Sequence, residues 1–273
     1  MSDVITHIAG PLDDDEVAQY HRDGFVVPQR RIPDETLDRM RNALDALLAA
    51  NQSMSSDYMV CPHVIAGGTQ ALKGHQDWLD FAAIPEVLDA VAHVIGPDVA
   101  LWGSTVFGKP AGTGKAVPWH QDGEYWPIRP LATCSAWIAI DHAAVDNGCL
   151  RVLPGSHRAK RLYGHRIDQD DALALNQVVD DPAVDPRDGV DVQLEPGQFS
   201  LHDIYLVHGS NANRSTRRRA GYVCRYMPTT SVFDRAVAKA LEATSPGVDF
   251  VTRPLFLMRG IDRSTQNDFT VGH

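Results

Sequence analysis

Residues 99–107, VALWGSTVF, mark a change of texture in this chain. The run is short, rich in β-branched and aromatic residues, and follows Gly96-Pro97. More runs of the same kind come after it: TCSAWIAI (133–140), CLRVL (149–153), VDVQL (190–194), QFSLHD (198–203), IYLVH (204–208) and AGYVCRYM (220–227). Gly, Pro, Asn and Asp punctuate them, which is how strands are bounded. Short strands at this spacing predict a mainly β fold with flanking helices, a double-stranded β-helix of the jelly-roll, cupin-like kind. The jelly-roll core is expected over about residues 99–228.

Upstream, residues 12–98 read as helical. DDDEVAQYHRDG (13–24) has acids at its start and a glycine stop. IPDETLDRMRNALDALLAA (32–50) sets Leu37, Met40, Leu44, Leu47 and Leu48 on one stripe at helical spacing. Pro33 suits a helix start, and Asp34 and Glu35 favour its first turn. WLDFAAIPEVLDAVAHVIGPD (78–98) repeats the pattern and ends at Gly96-Pro97. Downstream, about 229–265 form a helical extension around SVFDRAVAKALEAT (231–244). The polar tail DRSTQNDFTVGH (262–273) is expected to be loosely ordered. The acidic stretch 164–189, GHRIDQDDALALNQVVDDPAVDPRDG, reads as an insertion at an active-site mouth or a solvated excursion. No repeat at solenoid period is present, and the 273 residues read as one domain.

Composition narrows the partners. The net charge of −10 speaks against nucleic acid or an anionic membrane as partner. No apolar run is long enough to span a bilayer, and the first residues lack the pattern of a signal peptide. The four cysteines, Cys61, Cys134, Cys149 and Cys224, form no C-x-x-C pair. A cytoplasmic protein with reduced thiols, monomer or homodimer, acting on a small molecule, is the expectation.

The tripeptide HQD occurs twice, at 75–77 and 120–122. Residues i and i+2 diverge on a helix but share a face on extended chain. His75-Gln76-Asp77 opens a helical pattern, so Asp77 reads as an N-cap or first-turn acid. His120-Gln121-Asp122 lies between strand-like runs, where a chelating pair forms. Two histidines and one carboxylate on one side suit a non-haem Fe(II) site with open positions. A later strand must supply the third ligand, and His202 and His208 are both candidates.

HQDGEYWPIRP, SAWIAID, NGCLRVLPGSH, EPGQFSLHD and HGSNANRSTRRRAGYVCRY occur in that order, densest from Trp102 to Tyr226, with YHRDGFVV upstream. Together they resemble the phytanoyl-CoA dioxygenase family of Fe(II)/2-oxoglutarate oxygenases. The resemblance implies His120, Asp122 and His208 as the metal ligands and catalytic centre, with Fe(II), 2-oxoglutarate and dioxygen as cofactor and cosubstrates. It implies an arginine for the distal carboxylate of 2-oxoglutarate. Arg217, Arg218 and Arg219 compete, and Arg219, beside the strand AGYVCRY, is chosen as a bidentate clamp. Ser210 and Trp137 resemble further cosubstrate contacts, and Lys73 a lysine that reaches the cosubstrate. Tyr125, Trp126, Arg129, Trp102 and His63 are candidates for the substrate pocket, with Arg129 suited to an anion.

The implied reaction is hydroxylation of an aliphatic C–H bond, releasing succinate and CO2. Retention of Asp122 favours hydroxylation over halogenation. The resemblance carries no commitment to an acyl-CoA substrate. A jelly-roll binding protein without chemistry, and a zinc hydrolase using the same ligands, are the alternatives.

Overall fold

The computed structural model describes residues 12–65, 72–242 and 249–273. Strands, in chain order, are β1 (Phe25–Val26), β2 (Met59–Val60), β3 (Val99–Lys109), β4 (Val117–His120), β5 (Ile128–Arg129), β6 (Cys134–Ala139), β7 (Leu150–Val152) and β8 (His165–Ile167). They continue with β9 (Gln177–Val179), β10 (Val190–Val192), β11 (Phe199–Asp203), β12 (His208–Ser210), β13 (Arg219–Pro228), β14 (Val232–Phe233) and β15 (Phe256–Arg259). The larger sheet runs β1-β11-β6-β13-β3-β15, with β2 also on β3; the smaller runs β10-β7-β12-β4. From β3 to β13 the chain passes back and forth between these two antiparallel sheets. That alternation is the jelly roll, as expected from the strand-like runs.

Among the described residues five helices flank the sheets: α1 (Asp14–Asp23), α2 (Asp34–Ala50), α3 (Asp77–Ala82), α4 (Pro85–Ile95) and α5 (Arg235–Glu242). Asp13 and Glu16 form a reciprocal capping box at the start of α1, and Gly24 ends it at φ 83°, a conformation that glycine adopts without a Cβ penalty. Leu37, Met40, Leu44 and Leu47 of α2 are buried. With Trp78, Phe81, Val87 and Val91 they cover one face of the larger sheet, against Ile138, Leu201, Tyr222 and Tyr226. Tyr222 and Tyr226 donate their hydroxyls to the carbonyls of Trp78 and Ala82, at 2.7 and 2.8 Å. These bonds tie α3 to the sheet and satisfy buried groups at a helix end. Since side chains alternate along a strand, Arg219, Gly221, Val223 and Arg225 of β13 face the other way.

Several boundaries differ from the sequence reading. The 78–98 stretch is two helices, because Pro85 starts a new one and Ile84 before it is extended (φ −55°, ψ 122°). The helical N-terminal part also lends β1 and β2 to the larger sheet, and the C-terminal extension lends β15. Of IYLVH only His208 is in a strand. Asp203 accepts a hydrogen bond from Tyr205 N (2.8 Å) and turns the chain there. The tail is held rather than loose. The Asn267 side chain accepts from Phe233 N and donates to Ser231 O, both at 2.9 Å, and His273 Nε2 reaches Leu255 O. Among the described residues no helix is long and apolar enough to cross a membrane. All four cysteines are free and buried.

Candidate metal centre

His120 closes β4 and His208 opens β12, and the two are direct partners across neighbouring antiparallel strands. Gln121 is extended (φ −116°, ψ 131°), so Asp122 returns to the side of His120. Gln121 points away and is fully buried. It donates to Tyr205 O (2.6 Å) and Arg161 O (3.1 Å) and accepts from Tyr163 N (2.7 Å), which locks the extended turn. Asp122 Oδ1 lies 3.5 Å from His120 Nε2 and 4.0 Å from His208 Nε2. One ligand atom from each of the three buried residues lies within 4.8 Å of the others.

The tautomers are fixed by the backbone. His120 Nδ1 donates to Pro118 O (2.9 Å) and His208 Nδ1 to Leu206 O (3.0 Å). A carbonyl only accepts, so the proton sits on Nδ1 and Nε2 presents its lone pair inward. Burial, with His120 adding to it, pulls the His208 imidazole down to about 3. It is therefore neutral, as a ligand must be. Two imidazoles and a carboxylate that converge from one side fit the donor set of non-haem iron.

His202 is the fourth buried group here. Its Nε2 lies 3.9 Å from Asp122 Oδ2, and its ring centroid 4.9 Å from that of His208. It sits on the larger sheet, opposite the other two histidines, and its Nδ1 has no partner among the described residues. The fixed tautomer thus separates His208 from His202. The first HQD lacks any such company. Asp77 is the first residue of α3, and His75 Nδ1 accepts from Asp77 N at 3.3 Å on the exposed surface.

The triad lines a cavity of about 910 Å³. Arg219 and Ser210 line it beside Trp137, and the Arg219 guanidinium lies 5.3 Å from the indole centre. Arg217 pairs with Asp146 and Arg218 with Asp141, whereas Arg219 has no carboxylate partner among the described residues. Gly221 makes room for Trp137: a Cβ there would lie 2.2 Å from the indole. Opposite Arg219 on β3 stands Lys109, fully buried. It donates to Ser210 Oγ (2.6 Å) and to the carbonyl of Asn211. Burial, with the charge of Arg219 second, pulls this amine down to about 6. Lys109 escaped the sequence reading because FGKPAG looks like a strand end running into a loop.

The other candidates divide. Trp102 and Trp126 line the cavity with ring centroids 4.4 Å apart. Arg129 does not; it is exposed and caps the carbonyls of Trp126 and Ile128. His63 is buried behind the wall, bonded through Nδ1 to Ser104 Oγ at 2.6 Å and edge-on to Phe256. Lys73 is exposed on the loop before α3, where its backbone is clasped by the Asn51 side chain. None of these three is brought to the cavity. The side chain of Tyr125 lies outside the described residues. The 164–189 stretch forms the β8–β9 hairpin, and its Ile167, Asp168, Leu173 and Gln177 form part of the cavity lining.

A family model, phytanoyl-CoA dioxygenase (PhyH), matches residues 20–221. The chain belongs to this family. It is 27% identical over 228 residues to a probable phytanoyl-CoA dioxygenase of Caenorhabditis elegans, covering 76% of this chain and 72% of that one. It is 26% identical to the peroxisomal phytanoyl-CoA dioxygenase of Bos taurus, covering 76% of this chain and 66% of that one. The chain thus spans a little under two thirds of the mammalian relative. Among solved structures it is similar to the non-haem monooxygenase ThoJ (TM-score 0.70, 23% identity, 92% and 86% covered). It is also similar to the α-ketoglutarate-dependent epimerase SnoN (TM-score 0.64, 20% identity, 88% of each). These likenesses confirm the jelly-roll fold of this PhyH-family chain.

Proposed function

We propose that this PhyH-family chain is an Fe(II)/2-oxoglutarate-dependent dioxygenase that hydroxylates an aliphatic C–H bond of a small molecule. One observation carries the reading. Two Nε2 atoms with fixed tautomers and one carboxylate oxygen converge beside an arginine that has no carboxylate partner in the described protein. His120, Asp122 and His208 would hold the iron. With 2-oxoglutarate and dioxygen, iron supplies an oxidant strong enough for unactivated C–H bonds, releasing succinate and CO2.

The chain's own residues supply placement. The backbone carbonyls of Pro118 and Leu206 orient the two imidazoles. Arg219 receives the distal carboxylate of 2-oxoglutarate through paired N–H donors, and Trp137 stacks on its guanidinium and holds it in place. Ser210 offers that carboxylate a hydroxyl, with Lys109 fixing Ser210 from behind. Trp102 and Trp126 give the prime substrate an apolar wall and exclude water from the reacting bond. The N-terminal helices, jelly roll and C-terminal extension act as one oxygenase domain in this reading.

The test is anaerobic addition of Fe(II) and 2-oxoglutarate, followed by visible absorption. A weak charge-transfer band in the wild type, absent in His208→Ala, is expected. Iron retained without any band would favour a binding protein, and zinc-supported hydrolysis without 2-oxoglutarate would favour a hydrolase.

A further inference from the structure

β13 carries a second cation on its cavity face. Arg225 is six residues beyond Arg219 on the same face, roughly 20 Å along an extended strand. It falls in one cross-strand row with His202, Ser135 and Gly103. Arg253, far off in the chain and buried, reaches this same row. Its Nη1 would lie 3.6 Å from a Cβ built on Gly103. Gly103 therefore leaves open the space that the Arg253 guanidinium takes on the strand position paired with Arg225.

Both arginines line the cavity, and both are held by aromatic rings. Arg225 lies 5.3 Å from the centre of Trp126 and donates to Thr105 Oγ1 at 2.7 Å. Arg253 lies 4.6 Å from the centre of Phe250. Neither is in an ion pair with a carboxylate among the described residues, although Arg225 is near enough to the metal-site carboxylate of Asp122 to act on its charge. Of the acids on the hairpin rim, Asp168 pairs with Arg166 and Asp170 caps the amide of Ala172, while Asp171 also lines the cavity. Two cations that line one confined cavity repel each other unless an anion joins them. Ring stacking removes much of their freedom before any ligand arrives, which lowers the entropic cost of binding.

We propose that Arg225 and Arg253 form an anion subsite that seats the carboxylate or phosphate end of the prime substrate. The assignment of this anion to the substrate rests on the oxygenase reading, in which Arg219 is taken by 2-oxoglutarate. The body of the substrate lies against Trp102, Trp126 and Phe250, whose rings meet around this corner at 4.4 Å (Trp102–Trp126) and 6.4 Å (Trp102–Phe250) between centroids. The substrate is thus an anionic molecule with an apolar or aromatic portion next to its charge. The role that sequence reasoning gave to Arg129 falls to these two residues.

Tryptophan fluorescence tests this, because Trp126 stacks on one arginine and Trp102 adjoins it. The full chain is titrated with phenylacetate, phenyl phosphate and neutral benzyl alcohol, first without metal and then anaerobically with Fe(II) and saturating 2-oxoglutarate. The expected result is saturable quenching by at least one anion and weak or no quenching by the alcohol. Arg225→Gln and Arg253→Gln should each weaken that anion tenfold or more, while the Fe(II)/2-oxoglutarate band persists. Preference for one anion decides between carboxylate and phosphate. Failure of both anions to bind the wild type, or binding untouched by either substitution, overturns the subsite. Arginine-dependent anion binding without an Fe(II)/2-oxoglutarate band leaves the subsite standing and removes the oxygenase reading instead.

Discussion

His120 and His208 face each other across two antiparallel strands with ring centroids 4.3 Å apart, and each gives its Nδ1 proton to the carbonyl two residues before it. The repeated i−2 bond makes the pair symmetric in function: each Nε2 is a lone pair aimed at Asp122. His202 is as close to the carboxylate but has no such bond. His208→Ala should therefore abolish stoichiometric iron binding, whereas His202→Ala and Asp77→Ala should retain it. Iron content after anaerobic loading and desalting distinguishes them. Iron lost from Asp77→Ala and kept in Asp122→Ala would reverse the assignment of the two HQD copies.

Arg219→Gln removes the charged fork from the end of the cavity. Hydrogen bonds to charged groups contribute about 1.5–3 kcal/mol, so affinity for 2-oxoglutarate should fall roughly 10–100-fold. Arg217→Gln should change it little, because Arg217 lies at the surface against Asp146. Titrating the absorption band with 2-oxoglutarate in both variants reads the difference directly.

Lys109 makes stability depend on pH. Its amine is pulled down to about 6 in the fold and returns to about 10.4 when the chain unfolds. Between these values unfolding takes up a proton, so stability should rise with pH, by up to about 1.4 kcal/mol per unit from this group. The contribution is least favourable below pH 6. Lys109→Met should flatten that slope in urea denaturation between pH 6.5 and 9. Equal slopes in wild type and variant would mean that the amine keeps its charge in the fold.

Gly221→Ala adds a methyl group where the Trp137 indole lies. Overpacking of this kind costs about 1–3 kcal/mol, and the displaced indole would release Arg219 from its stack. Thermal unfolding should show the loss of stability. Weakened 2-oxoglutarate binding in the same variant would connect the glycine to the cosubstrate end of the cavity.

Much of this protein is written locally in its chain. Alternation and turn residues determine the strands of the jelly roll, and periodicity determines α1 and α2, with a capping box at α1, because both depend on neighbours within a few residues. The H-x-D of His120 and Asp122 was legible for the same reason: extended chain puts i and i+2 on one side. Period-two reading of RAGYVCRY also places Arg225 on the face of Arg219, a signal present in the sequence and left unused.

Only the tertiary structure decided the rest. The choice of His208 over His202 rests on a backbone carbonyl that fixes one tautomer, and Arg253 reaches the row of Arg225 only because Gly103, its partner on another strand, has no side chain. Lys109 becomes a buried amine by packing against Ser210, whereas Lys73, Arg129 and His63 are turned to solvent or into the wall behind the cavity. Residue type says what a side chain is able to do. Whether it faces the cavity depends on which distant strands lie beside it, and no local spacing carries that information.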